Sequence, residues 1–340
     1  MASSVQSGRR PTIEDVARLA GVSRGTVSRV INGGRNVRPP VLGKVHAAID
    51  ALGYSVNQAA RNLASGRTGS VAFVISDREE SLFDDPNFGQ FARVFSRELR
   101  KTGRHLLITT AQDEAEENFL GDYLTLGHVD GALLALTHEE ESLLGRLLPH
   151  RLPLVVLGKP LGFEDAFSWV AIDDEKAAFT AVSHLADRVG GAVGTVTGPL
   201  HTSSGRERLD GFRRALGDRF RPGLVATGDW SLSSGHHGAA QLLARDPGLR
   251  GLFVASDLMA AGAVGALREA GRRVPDDVAV VGFDDSAAAT RVTPALTTMR
   301  NPIEQTALEA LRILDDQIAG RVRRPVHLLL SSELVERGSC

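Results

Sequence analysis

The sequence predicts a small all-α module followed by a larger bilobed α/β domain, and three observations lead there. The chain has 340 residues, more than a single hydrophobic core of about 250 to 300 residues accommodates. Residues 12–56 read as short helices with no strand signal. From Ser70 onward, short β-rich apolar runs alternate with helical stretches, the pattern of βαβ units and parallel sheets.

The composition, 42% hydrophobic and 24% charged, is that of a globular protein, with no low-complexity tract. Met1 to Pro11 is polar and basic, so no secretory signal or membrane anchor is expected there. Nowhere does an apolar run approach the roughly 20 residues that cross a bilayer. The lone cysteine, Cys340, excludes an internal disulfide and a thiolate metal cluster. A cytoplasmic protein is expected.

Charge is unevenly distributed. Of 39 basic and 41 acidic residues, ten basic and three acidic ones fall in residues 1–68, so a local +7 leaves -9 for the rest. A basic head on an acidic body suits a nucleic-acid module joined to a domain that must stay off nucleic acid.

Within the head, Thr12 is placed to cap a first helix, with Asp15 three residues on in a capping-box-like arrangement. Ile13, Val16, Ala17, Leu19 and Ala20 form its apolar side, and Gly21 ends it. Ser23 caps a second helix through Ile31, with Val27, Val30 and Ile31 facing inward and Asn32-Gly33-Gly34 as the stop. Two helices separated by three or four residues, with small Ala17 at the crossing, form a helix-turn-helix. The second helix leaves Arg24, Gly25, Thr26, Ser28 and Arg29 outward. Arginine can grip guanine O6 and N7 in the major groove, and hydroxyls suit phosphates or bases. A third helix is expected from Pro39 to Leu52, closed by Gly53.

The run T-I-E-D-V-A-R-L-A-G-V-S-R-G-T-V-S-R-V-I-N from Thr12 to Asn32, then L-G-Y and N-x-x-A-R-x-L, closely resembles the lactose-repressor (LacI/GalR) family. The resemblance implies DNA contacts from Thr12, Ser23, Asn32, Asn57, Ala60, Arg61 and Leu63 besides the outward residues of the second helix. It also implies that Asn57 to Ala64 is a hinge helix that orders on operator DNA. There Leu63 would wedge into the minor groove, at a cost of a few kcal/mol recovered in contact surface. A plain core leucine in a short linker helix is the alternative. The expected division is a basic tail at 1–11, the helix-turn-helix domain at 12–56, a hinge and linker at 57–68, and a ligand-binding and dimerisation domain at 69–340.

For the body the resemblance implies a periplasmic-binding-protein-like fold of two parallel-sheet sublobes. Crossovers are expected near Asp173, Arg300 and Val326, which assigns 69–172 and 301–325 to the first lobe and 173–300 and 326–340 to the second. Open parallel sheets bind ligands beyond the carboxyl ends of their strands, so the cleft between lobes is the expected site. Arg208, in R-L-x-G-F, matches a family arginine that reaches into that cleft, and its fork can hold two hydroxyls or a carboxylate. Arg206 is the weaker candidate, with a surface role as the alternative. Asp284, after G-F, can accept from sugar hydroxyls or cap a helix, and Asp285 is the better cap. Asp173 occupies a similar place at the lobe crossover. Trp230 can stack on a pyranose face or staple the core. Ser256 stands where the family often has asparagine in N-D-x-M-A, which shortens its reach. In the long loop Ser76 to Phe88, one or two of Phe83, Asp84, Asp85 and Phe88 are expected to line the cleft, with Phe83 and Asp84 as the candidates.

Enzymatic motifs are missing: no G-x-G, no G-x-x-x-x-G-K-[ST] and no H-E-x-x-H. Adjacent His236 and His237 point apart on a helix, which argues against shared metal ligation. No cofactor, metal or catalytic residue is expected. The expectation is a nucleoid-associated, homodimeric repressor on double-stranded operator DNA, released by a mono- or oligosaccharide effector, with no membrane contact. Corepression or activation by the same head is the alternative, and a sugar carrier or enzyme on this scaffold is disfavoured. Trp230 and the acid-rich cleft favour a neutral sugar over a purine, and the G-K-P-L-G run at Gly158 with the S-D-L-M run at Ser256 resembles regulators responsive to cello-oligosaccharides. A heptad tail like the lactose repressor's is missing after Val335, so a dimer is expected.

Overall fold

The computed structural model describes residues 11–31, 37–54, 67–76, 85–111, 113–136 and 142–340. It forms two compact units, Met1–Thr68 and Gly69–Cys340.

In the first unit, α1 (Ile13–Ala20), α2 (Arg24–Ile31) and α3 (Pro39–Leu52) pack around Val16, Ala17, Val27, Val30, Val45 and Ala48. The capping box at Thr12 is complete: its Oγ1 accepts from the Asp15 amide at 3.3 Å, and Asp15 Oδ2 accepts from the Thr12 amide at 2.9 Å. Two of the helix's orphan donors are thereby satisfied. Gly21 stops α1 in the left-handed region at φ 65°, which turns the chain sharply into α2. Leu19, expected on the apolar side, is instead 56% exposed. It lies at the edge of the stripe, beyond the reach of α2 and α3. The expected hinge helix at Asn57–Ala64 lies outside the described residues.

The second unit contains two six-stranded sheets. The first has the order β11-β5-β4-β3-β1-β2, all parallel, from β1 (Ser70–Ser76), β2 (His105–Ala111), β3 (Gly131–Leu136), β4 (Leu154–Leu157), β5 (Ser168–Ile172) and β11 (His327–Leu330). Helices α4 (Pro86–Lys101), α5 (Glu114–Thr125), α6 (Ser142–Leu147) and α12 (Ile303–Ile318) belong to this lobe. The second sheet has the order β12-β10-β9-β8-β6-β7, from β6 (Ala192–Thr197), β7 (Val225–Thr227), β8 (Leu249–Val254), β9 (Ala279–Asp284), β10 (Thr297–Arg300) and β12 (Glu333–Val335). Only β12 runs antiparallel. Its helices are α7 (Asp174–Arg188), α8 (Ser203–Leu216), α9 (Leu232–Arg245), α10 (Asp257–Glu269) and α11 (Ala287–Arg291).

Helices on both faces explain why the central strands read as continuous apolar runs rather than alternating ones. Val71 to Ile75 are fully buried, and Phe73 meets Phe95 of α4 edge to face at 5.1 Å. The chain leaves the first lobe between Ile172 and Asp174 and returns between Arg300 and Ile303. The last crossing corrects the sequence reading. His327–Leu330 pairs in parallel with Trp169–Ile172, so the crossing lies between Leu330 and Glu333, not near Val326, and residues 326–330 belong to the first lobe. A short strand added at a sheet edge carries no sequence mark of which sheet it joins.

Candidate ligand cleft and DNA-reading helix

The carboxyl ends of both sheets face a cavity of about 190 Å³. Leu157 and Ile172 line it from the ends of β4 and β5, Asp284 from the end of β9, and Ser256 and Trp230 from the turns after β8 and β7. The strand ends supply a fixed frame for short, exactly spaced side chains.

Arg208 is central to it. It projects from α8 with 7% of its side chain exposed. Its Nε donates to Asp174 Oδ1 at 2.7 Å, one terminal nitrogen donates to the Ala255 carbonyl, and Asp284 Oδ1 lies 3.9 Å away. The guanidinium lies 3.6 Å from the Phe283 ring centroid and 5.5 Å from that of Trp230. Held on an aromatic face and tied on two edges, the fork has one orientation.

The carboxyls around it are perturbed by their surroundings. Burial pushes Asp284 well above the usual carboxylate range and raises Asp174, while Arg208 opposes both shifts. Deeper still, Asp257 Oδ1 accepts from the Thr298 hydroxyl at 2.6 Å and Oδ2 from the Ser286 amide at 2.7 Å. Burial pushes its carboxyl up to about 7. Asn87, at the start of α4, brings a buried Oδ1 with no partner among the described residues to the cavity lining. A buried acceptor of that kind is costly unless a ligand or water donates to it.

Backbone strain gathers in the same place. Trp230 and Asp284 take φ values of 72° and 110°, and Asp285 takes 54°. A non-glycine residue there costs about 1 to 3 kcal/mol, which the surrounding packing must sustain. The Trp230 ring is seated against Gly198, where a Cβ would collide with three of its ring carbons. It also packs on the second lobe's core, as the core alternative for this residue expects, while lining the cavity.

Of the expected contacts, Arg208, Trp230, Ser256 and Asp284 are brought together in the cleft. Ser256 also caps α10, its Oγ accepting from the Met259 amide at 3.2 Å. Asp173 is not among the lining residues. It caps α7 through the Lys176 amide at 3.1 Å, and its neighbour Asp174 lines the cleft instead. One step along the chain at the helix start turns the side chain inward. Asp285, expected as a cap, is not one: Ser286 caps α11, and Asp285 is held between Arg300 and Arg337. Phe83 and Asp84 lie outside the described residues, while Asp85 and Phe88 from the same stretch line the cleft. Arg206 donates to the Leu200 carbonyl at the surface. His236 pairs with Glu269 and His237 with the Ser233 carbonyl, and no metal-holding group occurs among the described residues.

On α2, Ser23, Arg24, Gly25 and Arg29 are exposed and Thr26 and Ser28 half-buried. Ser23 Oγ accepts from the Thr26 amide at 3.2 Å, capping the helix. Arg24 pairs loosely with Glu14 at 3.4 Å, whereas Arg29 has no ion pair or hydrogen bond among the described residues. Asn32, Asn57, Ala60, Arg61 and Leu63 fall outside those residues.

Residues 12–57 match the family model described as Bacterial regulatory proteins, lacI family, and residues 182–340 match the Periplasmic binding protein-like domain. The HTH-type transcriptional regulator CelR of Thermobifida fusca is 41% identical over 335 residues, covering 97% of this chain and 98% of that protein. The chain belongs to the lacI family of bacterial regulatory proteins. This lacI-family chain is also similar in structure to a transcriptional regulator CelR–cellobiose complex, at TM-score 0.77 and 39% identity over 97% of this chain and all of that one. A Lac repressor dimer bound to operator and the anti-inducer ONPF matches at TM-score 0.86 and 26% identity, covering 97% of this chain and 99% of that one. The helix-turn-helix head and the body of two parallel-dominated lobes are those of this family. No helix among the described residues is long and apolar enough to cross a membrane.

The lacI-family cleft also holds residues that sequence reasoning missed: Asp174, Asn87 and, behind the floor, Asp257. For Asp174 the paired Asp-Asp at a strand end was a visible signal, and only the wrong member was chosen. Nothing local to Asn87 distinguishes it from a surface residue at a helix start.

Proposed function

We propose that this lacI-family regulator is a repressor that binds palindromic operator DNA as a homodimer and is released by a β-linked glucose oligosaccharide of the cellobiose kind. The observation that carries the reading is the cleft itself: one oriented guanidinium, flanking carboxyls, an unpartnered Asn87 acceptor and a strained tryptophan face. A sugar offers adjacent hydroxyls for the first three and an apolar ring face for the last. The resemblance to a cellobiose-bound regulator supports the same ligand class.

The recognition surface is α2. Arg29, exposed and uncommitted, reads a base edge in the major groove, with Arg24 switching from Glu14 to DNA. Two copies place two such helices on half-sites related by a two-fold axis. Sugar favours the closed lobes, and that preference for one of two states shifts the population off the operator. The body binds and signals, with no catalytic step.

A mobility-shift assay on palindromic duplexes from upstream of the protein's own and neighbouring genes tests this. Retarded complexes should dissolve with cellobiose and persist with ribose or hypoxanthine. Arg29→Ala should weaken operator binding by about 1 to 3 kcal/mol. Wild-type binding by that variant, or indifference to every sugar, would overturn the reading.

A further inference from the structure

Lys159 and Glu207 meet from opposite lobes. Lys159 follows β4 of the first lobe, one residue beyond the cleft-lining Gly158, and Glu207 lies on α8 of the second, directly before Arg208. Lys159 Nζ stands 2.6 Å from Glu207 Oε1, with the two side chains 24% and 23% exposed. The pairs Arg97–Glu304, Arg104–Asp315, Arg188–Glu336 and Arg214–Glu175 each stay within one lobe.

We propose that Lys159 and Glu207 form a charge clasp at the edge of the cleft, made when the lobes close and broken when they open, that sets how tightly effector is held. The proposal deepens the effector reading above and rests on it. The local backbone presents the lysine. Gly158 takes φ 97°, open mainly to glycine, and Pro160 restricts Lys159 to an extended conformation. The G-K-P segment is therefore a stiff turn that aims one cation at α8.

The electrostatics favour a contact that closure decides. Burial raises the Glu207 carboxyl, Lys159 opposes that shift, and Asp174 and Asp173 add to it. Without the lysine, Glu207 would face two carboxylates in a partly dry site. In the open arrangement water solvates both charges instead. A pair three-quarters removed from water is worth more than an exposed one. Glu207 and Arg208 are consecutive on α8, so the closure that forms the clasp is also the movement that delivers the guanidinium to the ligand.

Two measurements on the full chain test the clasp. The first is a double-mutant cycle of Lys159→Met, Glu207→Gln and both, read by cellobiose titration of tryptophan fluorescence. Each single variant should lose about 3- to 10-fold in affinity, the double variant no more than either, and all three should retain operator binding without sugar. The second is zero-length carbodiimide coupling, which joins an amine to a carboxylate only in contact. A Lys159–Glu207 cross-linked peptide should appear by mass spectrometry and increase with cellobiose. Independent, multiplying losses in the cycle, wild-type affinity in the single variants, or no cross-linked peptide with or without sugar would overturn the clasp. A cross-link in a wild-type chain that ignores cellobiose would sink the sugar reading and leave the clasp standing.

Discussion

Replacing Arg208 by methionine isolates what the buried guanidinium does. Methionine keeps an apolar stem against Phe283 but removes the donors to Asp174 and Ala255 and the charge 3.9 Å from Asp284. Two carboxyls with 10% and 7% side-chain exposure then share a site with no cation. Orphaning a buried charge in this way costs about 3 to 5 kcal/mol. For a body of this size that is a fall in Tm of roughly 6 to 20 °C. The loss should depend on pH in a definite direction. Both carboxyls are already raised above their unfolded value by burial, and losing Arg208 raises them further. Stability linked to a raised carboxyl is present at low pH and lost as pH climbs through the folded pKa, at about 1.4 kcal/mol per unit for each group. The Tm deficit of Arg208→Met against wild type should therefore shrink from pH 7.5 to pH 5.5, and Asp174→Asn added to it should restore much of the loss. Calorimetry on the three proteins at both pH values measures this. An equal deficit at both pH values, or no rescue by Asp174→Asn, would refute the argument that Arg208 neutralises buried acid.

Other outcomes are equally definite. Asp257, held near 7 by burial, makes the wild type lose stability as pH rises from about 4 to 7. The stability difference between Asp257→Asn and wild type should thus move in the variant's favour across that range and flatten above it, as read from urea midpoints. Trp230→Ala should weaken cellobiose binding roughly 2- to 12-fold through lost stacking, by isothermal titration. Gly198→Ala, whose Cβ meets the Trp230 ring, should weaken it in the same direction. Thr12→Val removes the hydroxyl half of the capping box, leaving only the backbone amide's bond to Asp15, and should destabilise α1 by about 1 kcal/mol, seen as faster amide exchange in that helix.

The head was legible because its structure is local. A cap, a glycine stop and inward residues three and four apart lie within a few residues of one another, and Thr12, Gly21, Ser23 and Val27 each occupy the place that local rule gives them. Leu19 departed because the width of a buried stripe depends on what packs against it. In the body, the alternation of apolar runs identified β1 to β4 and β6 to β9. It passed over β5, β10, β11 and β12, short strands at or next to a sheet edge.

The sequence by itself determined the helix-turn-helix, the two-lobed α/β body and the cleft positions of Arg208, Trp230, Ser256 and Asp284, since each sits in a motif or at a strand end whose geometry is set by near neighbours. Only the tertiary structure decided that Asp174 rather than Asp173 turns into the cleft, that Asp285 binds two arginines, that β11 joins the first sheet and that Lys159 meets Glu207. Each of these depends on segments distant in the chain, or on the rotation of a helix against its sheet, and no local pattern encodes that.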